Sequence, residues 1–382
     1  MQALPRASRL GRVECMAKEQ IRIGIIGVGQ IGKQHLEAWQ KIPAARVTAL
    51  CDADAPELAR VAAAAGVRTT VPDFRALIAR DDLDAVDVCL HNNMHAPVTV
   101  AALEAGKHVY CEKPMAGTWR DADAMLAAAR RTGRKLGIQL RTLFSPETKA
   151  AQSLVRDGRL GRIYHARCTG FRRRGRPFVD GYGSPEFVRK RAAAGGALYD
   201  MGVYHLAQVL FLLGNPAVER ISGKTYQEIG MDEARRAASG YDVEELGLGF
   251  VRLSDNISLD IIESWAMMLD TMEGSVILGS EGGVRLEPFG YFHAAGDLNL
   301  DSTADLEAFM YRQHNVKGIG DEYDGPQNHW AAVLQGRVEP LPTAELALSA
   351  MLISEGIYLS EKLGREVTAE EVRSASVSSV TR

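Results

Sequence analysis

From residue 21 onward, short apolar runs alternate with helical patterns. Ile21-Arg22-Ile23-Gly24-Ile25-Ile26 predicts a strand, and 33–41 the helix that follows it. Arg46 to Cys51 predicts a second strand, followed by an alanine-rich helix over about 56–65. The alternation continues with a short helix over 73–80, a buried strand over 85–90 and a helix over 97–105. A strand over 108–110, a helix over 119–131 and a strand over 136–140 complete about five β-α units in 120 residues. Apolar strands separated by helices are the pattern of a parallel sheet with crossover connections.

After residue 141 the rhythm changes. A helix over 147–156 and a strand over 163–171 lead into an arginine-rich loop, and a further helix covers 198–213. Between about 217 and 302 strands cluster, joined by glycine-containing turns, with candidates at 246–253, 257–265, 275–278 and 283–286. Clustered strands imply an antiparallel or mixed sheet, so this half reads as α+β. Helices return over 326–335 and 344–363. The expected organisation is an α/β domain over 20–141 and an α+β domain over 142–368. The first nineteen residues read as a disordered extension, with Met16 a possible true start, and 369–382 as a loose tail.

Composition narrows the function classes. The chain has 382 residues, 46% hydrophobic and 24% charged, with a net charge of −3. That length favours two domains, and that charge gives no reason to expect nucleic acid or a membrane as partner. No apolar stretch approaches the ~20 residues that span a bilayer. The five cysteines (15, 51, 89, 111, 168) show no paired spacing and no Cys/His cluster. Neither a disulfide framework nor a metal site is expected, and a reducing cytoplasm fits.

The candidate chemistry begins at Gly27-Val28-Gly29-Gln30-Ile31-Gly32, which follows the first strand and opens the first helix. Glycines at these places permit a tight turn, close approach of the backbone to a pyrophosphate, and close helix–strand packing. Asp52 stands at the end of the second strand, twenty residues past Gly32. A carboxylate there accepts hydrogen bonds from ribose hydroxyls and repels a 2′-phosphate, and Ala53 and Asp54 supply no cation for that phosphate. The expectation is a Rossmann domain binding NAD rather than NADP. The alternative is an Asp52 that only caps the next helix.

Two further segments carry polar groups where a ligand crevice would lie. Cys111-Glu112-Lys113-Pro114 follows a strand of the parallel sheet, where a lysine can hold a substrate hydroxyl and stabilise an alkoxide. In isolation the same lysine reads as an ordinary exposed turn residue. Gly195-Gly196 leads into a helix on which Asp200 and Tyr204 share a face, with His205 roughly 100° further round. An Asp–Tyr hydrogen bond serving packing alone fits that spacing equally well.

Together the Gly-x-Gly-x-x-Gly turn, the Glu-Lys-Pro and the Gly-Gly…Asp-x-Gly-x-Tyr helix resemble the glucose-fructose oxidoreductase/inositol dehydrogenase/MocA family. The resemblance covers about 20–368. It extends to Leu90-His91-Asn92-Asn93-Met94-His95, similar to the family's T-P-N-x-x-H, and to the Ala-Gly-Lys-His-Val before Cys111. It implies a second domain with an open, mostly antiparallel sheet that forms the contact of a homodimer or homotetramer. It also places Gln30, Ile31, Asn92, His95, Glu112 and Lys113 on the cofactor. By the same carry-over Lys113 is the catalytic lysine, Asp200 orients substrate, and Tyr204, favoured over His205, transfers the proton. A tyrosine with an ordinary pKa near ~10 needs Lys113 close by to act as a base at neutral pH.

Arg141 departs from the family's neutral amide. With Arg172-Arg173-Arg174-Gly175-Arg176 it could meet a carboxylate, sulfonate or phosphate, although a solvated surface turn is the simpler reading of the arginine loop. The expected activity is hydride transfer between NAD and a secondary alcohol of a sugar, inositol or sugar derivative. The alternatives are an NAD-dependent glycoside hydrolase working by transient oxidation, and a non-enzymatic nucleotide-binding regulator.

Overall fold

The computed structural model describes residues 20–380. The expected N-terminal extension and the last two residues lie outside them. The first sheet contains β1 (Ile21–Ile26), β2 (Ala45–Cys51), β3 (Thr69–Val71), β4 (Ala85–Val88), β5 (His108–Cys111) and β6 (Leu136–Ile138). Its order is β3-β2-β1-β4-β5-β6 and every pairing is parallel. Helices cover both faces, which is why β1 and β4 read as nearly continuous apolar runs. The strand order reverses between β1 and β4, and that switch point opens the ligand crevice. β3 escapes the sequence pattern because its three residues form a short edge with no fully buried position. The helix over Asn92–Glu104 begins five residues before Pro97, which sits inside it. Proline there forfeits only one helical hydrogen bond, so taking it as the helix start sets the boundary late.

The second sheet holds β7 (Ile163–Phe171), β8 (Val218–Tyr226), β9 (Leu246–Leu253), β10 (Ile257–Ser264), β11 (Val276–Gly279), β12 (Gly282–Arg285), β13 (Gly290–Ala295), β14 (Leu298–Ser302) and β15 (Val367–Thr368). In the order β14-β13-β12-β11-β7-β10-β9-β8-β15, only β7 and β10 pair in parallel. One face buries Ala166, Cys168, Val251, Leu259 and Ile261 in the main core with helices Val203–Leu213 and Thr343–Leu363. The opposite face exposes Arg167 and Phe250. This period of two is the mark of a sheet buried on one side.

Three findings revise the expected organisation. Helix Pro326–Leu334 belongs to the first domain's core, where Trp330 lies 5.9 Å from Tyr110 and closes over Gly137. The polypeptide therefore crosses back before it ends. The tail expected to be loose instead forms helix Ala369–Ala375, started by a Thr368/Glu371 capping box. Beyond it, Ser379 donates to Asp121 and Ser376 to Glu355. A Ser/Val composition conceals such polar docking. Finally, the segment 190–213 is long and apolar enough to cross a membrane by length and composition. Most of it is buried, and Ala194 at a φ of 67° interrupts it, so it serves here as core. Cys51, Cys89, Cys111 and Cys168 are free and buried.

Candidate active site

The glycine turn has the shape its spacing predicts. Gly27 adopts a φ of 95°, and a Cβ on Gly32 would lie 2.0 Å from the Gly27 carbonyl oxygen. A Cβ on Gly29 would meet nothing within 4 Å, so open space lies against the backbone where a pyrophosphate would sit. Helix Gln30–Gln40 has no side-chain cap and no acidic residue in its first turn, which leaves its N–H groups for an anion. Asp52 accepts from the Val28 N–H at 2.8 Å and from the Asp54 N–H at 2.9 Å, so its carboxylate is fixed at the mouth of the groove. Lys33, next to Gly32 in sequence, is paired with Glu57 at 2.8 Å. These residues fit an adenine dinucleotide without a 2′-phosphate.

Lys113, Asp200 and Tyr204 come together. Lys113 Nζ donates to Asp200 Oδ1 at 2.8 Å and sits 4.7 Å from the centre of the Tyr204 ring. Asp200 Oδ2 accepts from Trp265 Nε1 at 2.9 Å. Asp200 lies in a π-helical turn, Leu198–Gly202, and Tyr204 in the α-helix that continues it. Wide turns of this kind recur at functional sites. Burial opposes the charge on Lys113, but the Asp200 carboxylate outweighs it and raises the ammonium's pKa. Burial likewise works against an ionised Asp200, and Lys113 overrides it, holding the carboxyl below its usual range. Burial pushes the Tyr204 hydroxyl up to about 12 despite Lys113 and Arg141 nearby. His205 belongs to a different contact, with Nδ1 2.8 Å from the buried Glu263 of β10.

The arginines divide. Arg176 is buried between Asp180 and Glu245, at 2.9 and 2.8 Å. Arg172 approaches Asp200 at 3.7 Å, and the Arg141 guanidinium lies 5.1 Å from the centre of the Tyr204 ring. Only Arg173 and Arg174 match the solvated turn expected of that loop.

Behind the lysine lies a cluster that the sequence pattern left unread. His35 Nδ1 is 2.8 Å from Asp87, its Nε2 is 2.8 Å from Glu112, and Trp39 Nε1 donates to Asp87 at 2.6 Å. The other Glu112 oxygen accepts the Lys113 N–H at 2.8 Å. Two carboxylates on one buried ring require both nitrogens to carry protons. Burial opposes that charge, and Asp87 and its partners outweigh it, raising the pKa of His35. The available signal was the stripe Gly32, His35, Leu36 and Trp39, a buried helix face containing one polar residue. His35, Asp87 and Cys89 also meet the geometric minimum for a metal group, but their donor atoms already serve one another as hydrogen-bond partners.

Two residues expected on the cofactor spend their side-chain polar atoms within the protein. Glu112 is committed to His35 and to the backbone. His95 is fully buried, with its ring nitrogens 2.7 Å from the Pro114 carbonyl and 3.0 Å from that of Leu90. It clamps the Glu-Lys-Pro segment, and both ring nitrogens are engaged. Asn92 donates to the Ala193 carbonyl at 2.7 Å and so ties the crevice to the loop before Gly195.

Comparison with known proteins identifies the family. Residues 21–140 match the oxidoreductase family with an NAD-binding Rossmann fold, and residues 148–285 match the GFO/IDH/MocA C-terminal domain. D-glucoside 3-dehydrogenase of Escherichia coli is 28% identical over 364 residues, covering 92% of this chain and 98% of that protein. Myo-inositol 2-dehydrogenase of Thermotoga maritima is 26% identical over 298 residues, 71% of this chain and 82% of that one. The solved structure of levoglucosan dehydrogenase with NADH and levoglucosan superimposes with a TM-score of 0.76 at 21% identity, covering 92% and 99% of the two chains. The chain belongs to the GFO/IDH/MocA family of NAD-binding oxidoreductases.

Proposed function

We propose that this protein is an NAD-dependent dehydrogenase oxidising a secondary alcohol of a sugar, inositol or sugar derivative. The observation that carries this reading is the convergence of Lys113, Asp200 and Tyr204 at the C-terminal ends of the parallel strands. A bound nicotinamide supplies the two-electron acceptor. Lys113, kept charged by Asp200, donates a hydrogen bond to the reacting oxygen and stabilises negative charge developing there. Asp200, fixed by Trp265, holds the ammonium in place. Tyr204 exchanges the hydroxyl proton, donating it when a ketone is reduced and accepting it when an alcohol is oxidised. One alcohol and one NAD yield one ketone, one NADH and one proton, which leaves through Tyr204 to water. The exposed face of the second sheet, with Phe250, supports a homodimer or homotetramer formed there.

The test is nicotinamide absorbance with a panel of sugars and polyols. Net NADH is expected, and Lys113→Ala should lower kcat by roughly 10²- to 10⁴-fold. Unchanged turnover in that variant removes Lys113 from the reaction. Glycoside cleavage without net NADH moves the reading to the transient-oxidation mechanism. NAD binding with neither activity leaves a regulator.

A further inference from the structure

Oxidation of a neutral hydroxyl needs one cation beside it, and Lys113, already matched by Asp200, fills that place. Two more guanidiniums reach the same cluster. Arg141 is exposed on the turn after β6, against the Tyr204 ring, and among the described residues no carboxylate pairs with it. Arg172, at the end of β7, is 40% exposed and stands 3.7 Å from Asp200, while its Nη1 donates to the Gly175 carbonyl and to the Tyr182 hydroxyl. Three cations thus face one carboxylate.

The remaining acids in the neighbourhood are already engaged, Glu112 by His35 and Glu263 by His205. Arg176 supplies the contrast within the same loop. Where an arginine serves the fold, two carboxylates meet it and it is buried. Arg141 and Arg172 have no such pair of carboxylates, and both reach the cluster of Lys113, Asp200 and Tyr204. A surplus of positive charge in a cleft concentrates anions there, and a guanidinium matches the geometry of a carboxylate or phosphate.

We propose that the substrate is an anionic sugar or polyol, bearing a carboxylate or a phosphate, and that Arg141 and Arg172 recognise the anion while Lys113 and Tyr204 face the hydroxyl. This deepens the dehydrogenase reading and rests on it for the identity of the reacting group. Arg141 and Arg172 are specificity residues, and they act on KM.

Matched pairs test the proposal: D-glucuronate against D-glucose, D-gluconate against D-glucitol, and myo-inositol 1-phosphate against myo-inositol, each with NAD. The expected result is a kcat/KM roughly 10- to 150-fold higher for the anionic member of at least one pair. The responding pair distinguishes carboxylate from phosphate. Arg141→Gln and Arg172→Gln should each raise KM for the anion more than for its neutral partner, so that the preference for the anion falls, and added NaCl should raise the wild-type KM for the anion. Equal or better turnover of every neutral member, unaffected by the double variant, overturns the proposal and leaves the dehydrogenase reading standing. Calorimetry of the same anions on the NADH-loaded protein separates the two ideas if no member yields NADH. Binding that the double variant abolishes upholds the anion site while the dehydrogenase reading falls, and absence of binding by all three anions overturns the site.

Discussion

His35→Gln should cost about 3–5 kcal/mol of stability, the range seen when one partner of a buried ion pair is removed. His35, Asp87 and Glu112 are 2%, 0% and 5% exposed, so no solvent replaces the lost donor. A glutamine offers N–H to one carboxylate and an oxygen to the other, and one contact becomes repulsive. Asp87 retains only Trp39 as its side-chain donor among those His35 does not supply, apart from the weak Cys89 thiol, and Glu112 retains the Lys113 N–H. At about 2–4 °C per kcal/mol for a domain of this size, the melting temperature should fall by roughly 6–20 °C. The pH dependence has a definite sign. Because the folded pKa of His35 is raised, its stabilisation is complete below the unfolded value near ~6.5. Above that value it declines by about 1.4 kcal/mol per pH unit as pH climbs toward the folded pKa. The gap between wild type and variant should therefore narrow from pH 6.5 to 9. Thermal melts followed by circular dichroism across that range measure it. A shift under about 2 °C, or a gap that does not change with pH, refutes a charged imidazole between two carboxylates.

Two further outcomes concern the reaction itself. With its hydroxyl pushed up to about 12, Tyr204 is mostly protonated at neutral pH, so alcohol oxidation should accelerate through the alkaline range. Tyr204→Phe should remove that limb with a loss of about 10²- to 10⁴-fold, and His205→Gln should keep it; the reverse pattern in pH–rate profiles transfers the proton step to His205. Asp52→Ala should lower kcat/KM for NAD by roughly 10- to 150-fold and narrow the preference over NADP, because the ribose loses a charged acceptor. Steady-state rates with both cofactors read this directly, and an unchanged preference would reduce Asp52 to support of the Val28 turn.

Both sheets were legible where the pattern had a clear period: β1, β2 and β7 lie within a residue of their expected bounds. β8, β13 and β14 were not, because few of their positions are buried and the exposed ones dilute the apolar signal. Lys113, Asp200 and Tyr204 were legible through local motifs. Trp265 and Glu263 were invisible because each reaches its partner from the second sheet, and Arg172 was legible only as one of a loop of arginines, since the tertiary fold alone brings it within 4 Å of Asp200. The internal bonds of Glu112 and His95 were hidden for the same reason. A motif marks a residue as adjacent to the cofactor without saying whether its polar atoms face outward or are spent on the scaffold.

That spending has a mechanical consequence. The helix opened by the glycine turn carries His35 one turn into its length, and His35 holds Glu112, whose second oxygen holds the backbone of Lys113. Lys113 then reaches Asp200, which Trp265 fixes from the second sheet. Every link is a hydrogen bond of 2.8 to 2.9 Å, and the groups on the cofactor side are buried. The place of the Lys113 ammonium relative to the glycine turn is thus set by packed, charged side chains and not by loop conformation, which is the preorganisation that the proposed stabilisation of an alkoxide would require. Arg141 and Arg172 lie outside this chain of buried bonds, in solvent contact, where they can vary without disturbing it. A rigid reacting centre with an adjustable charged rim lets one scaffold keep its chemistry while its substrate changes.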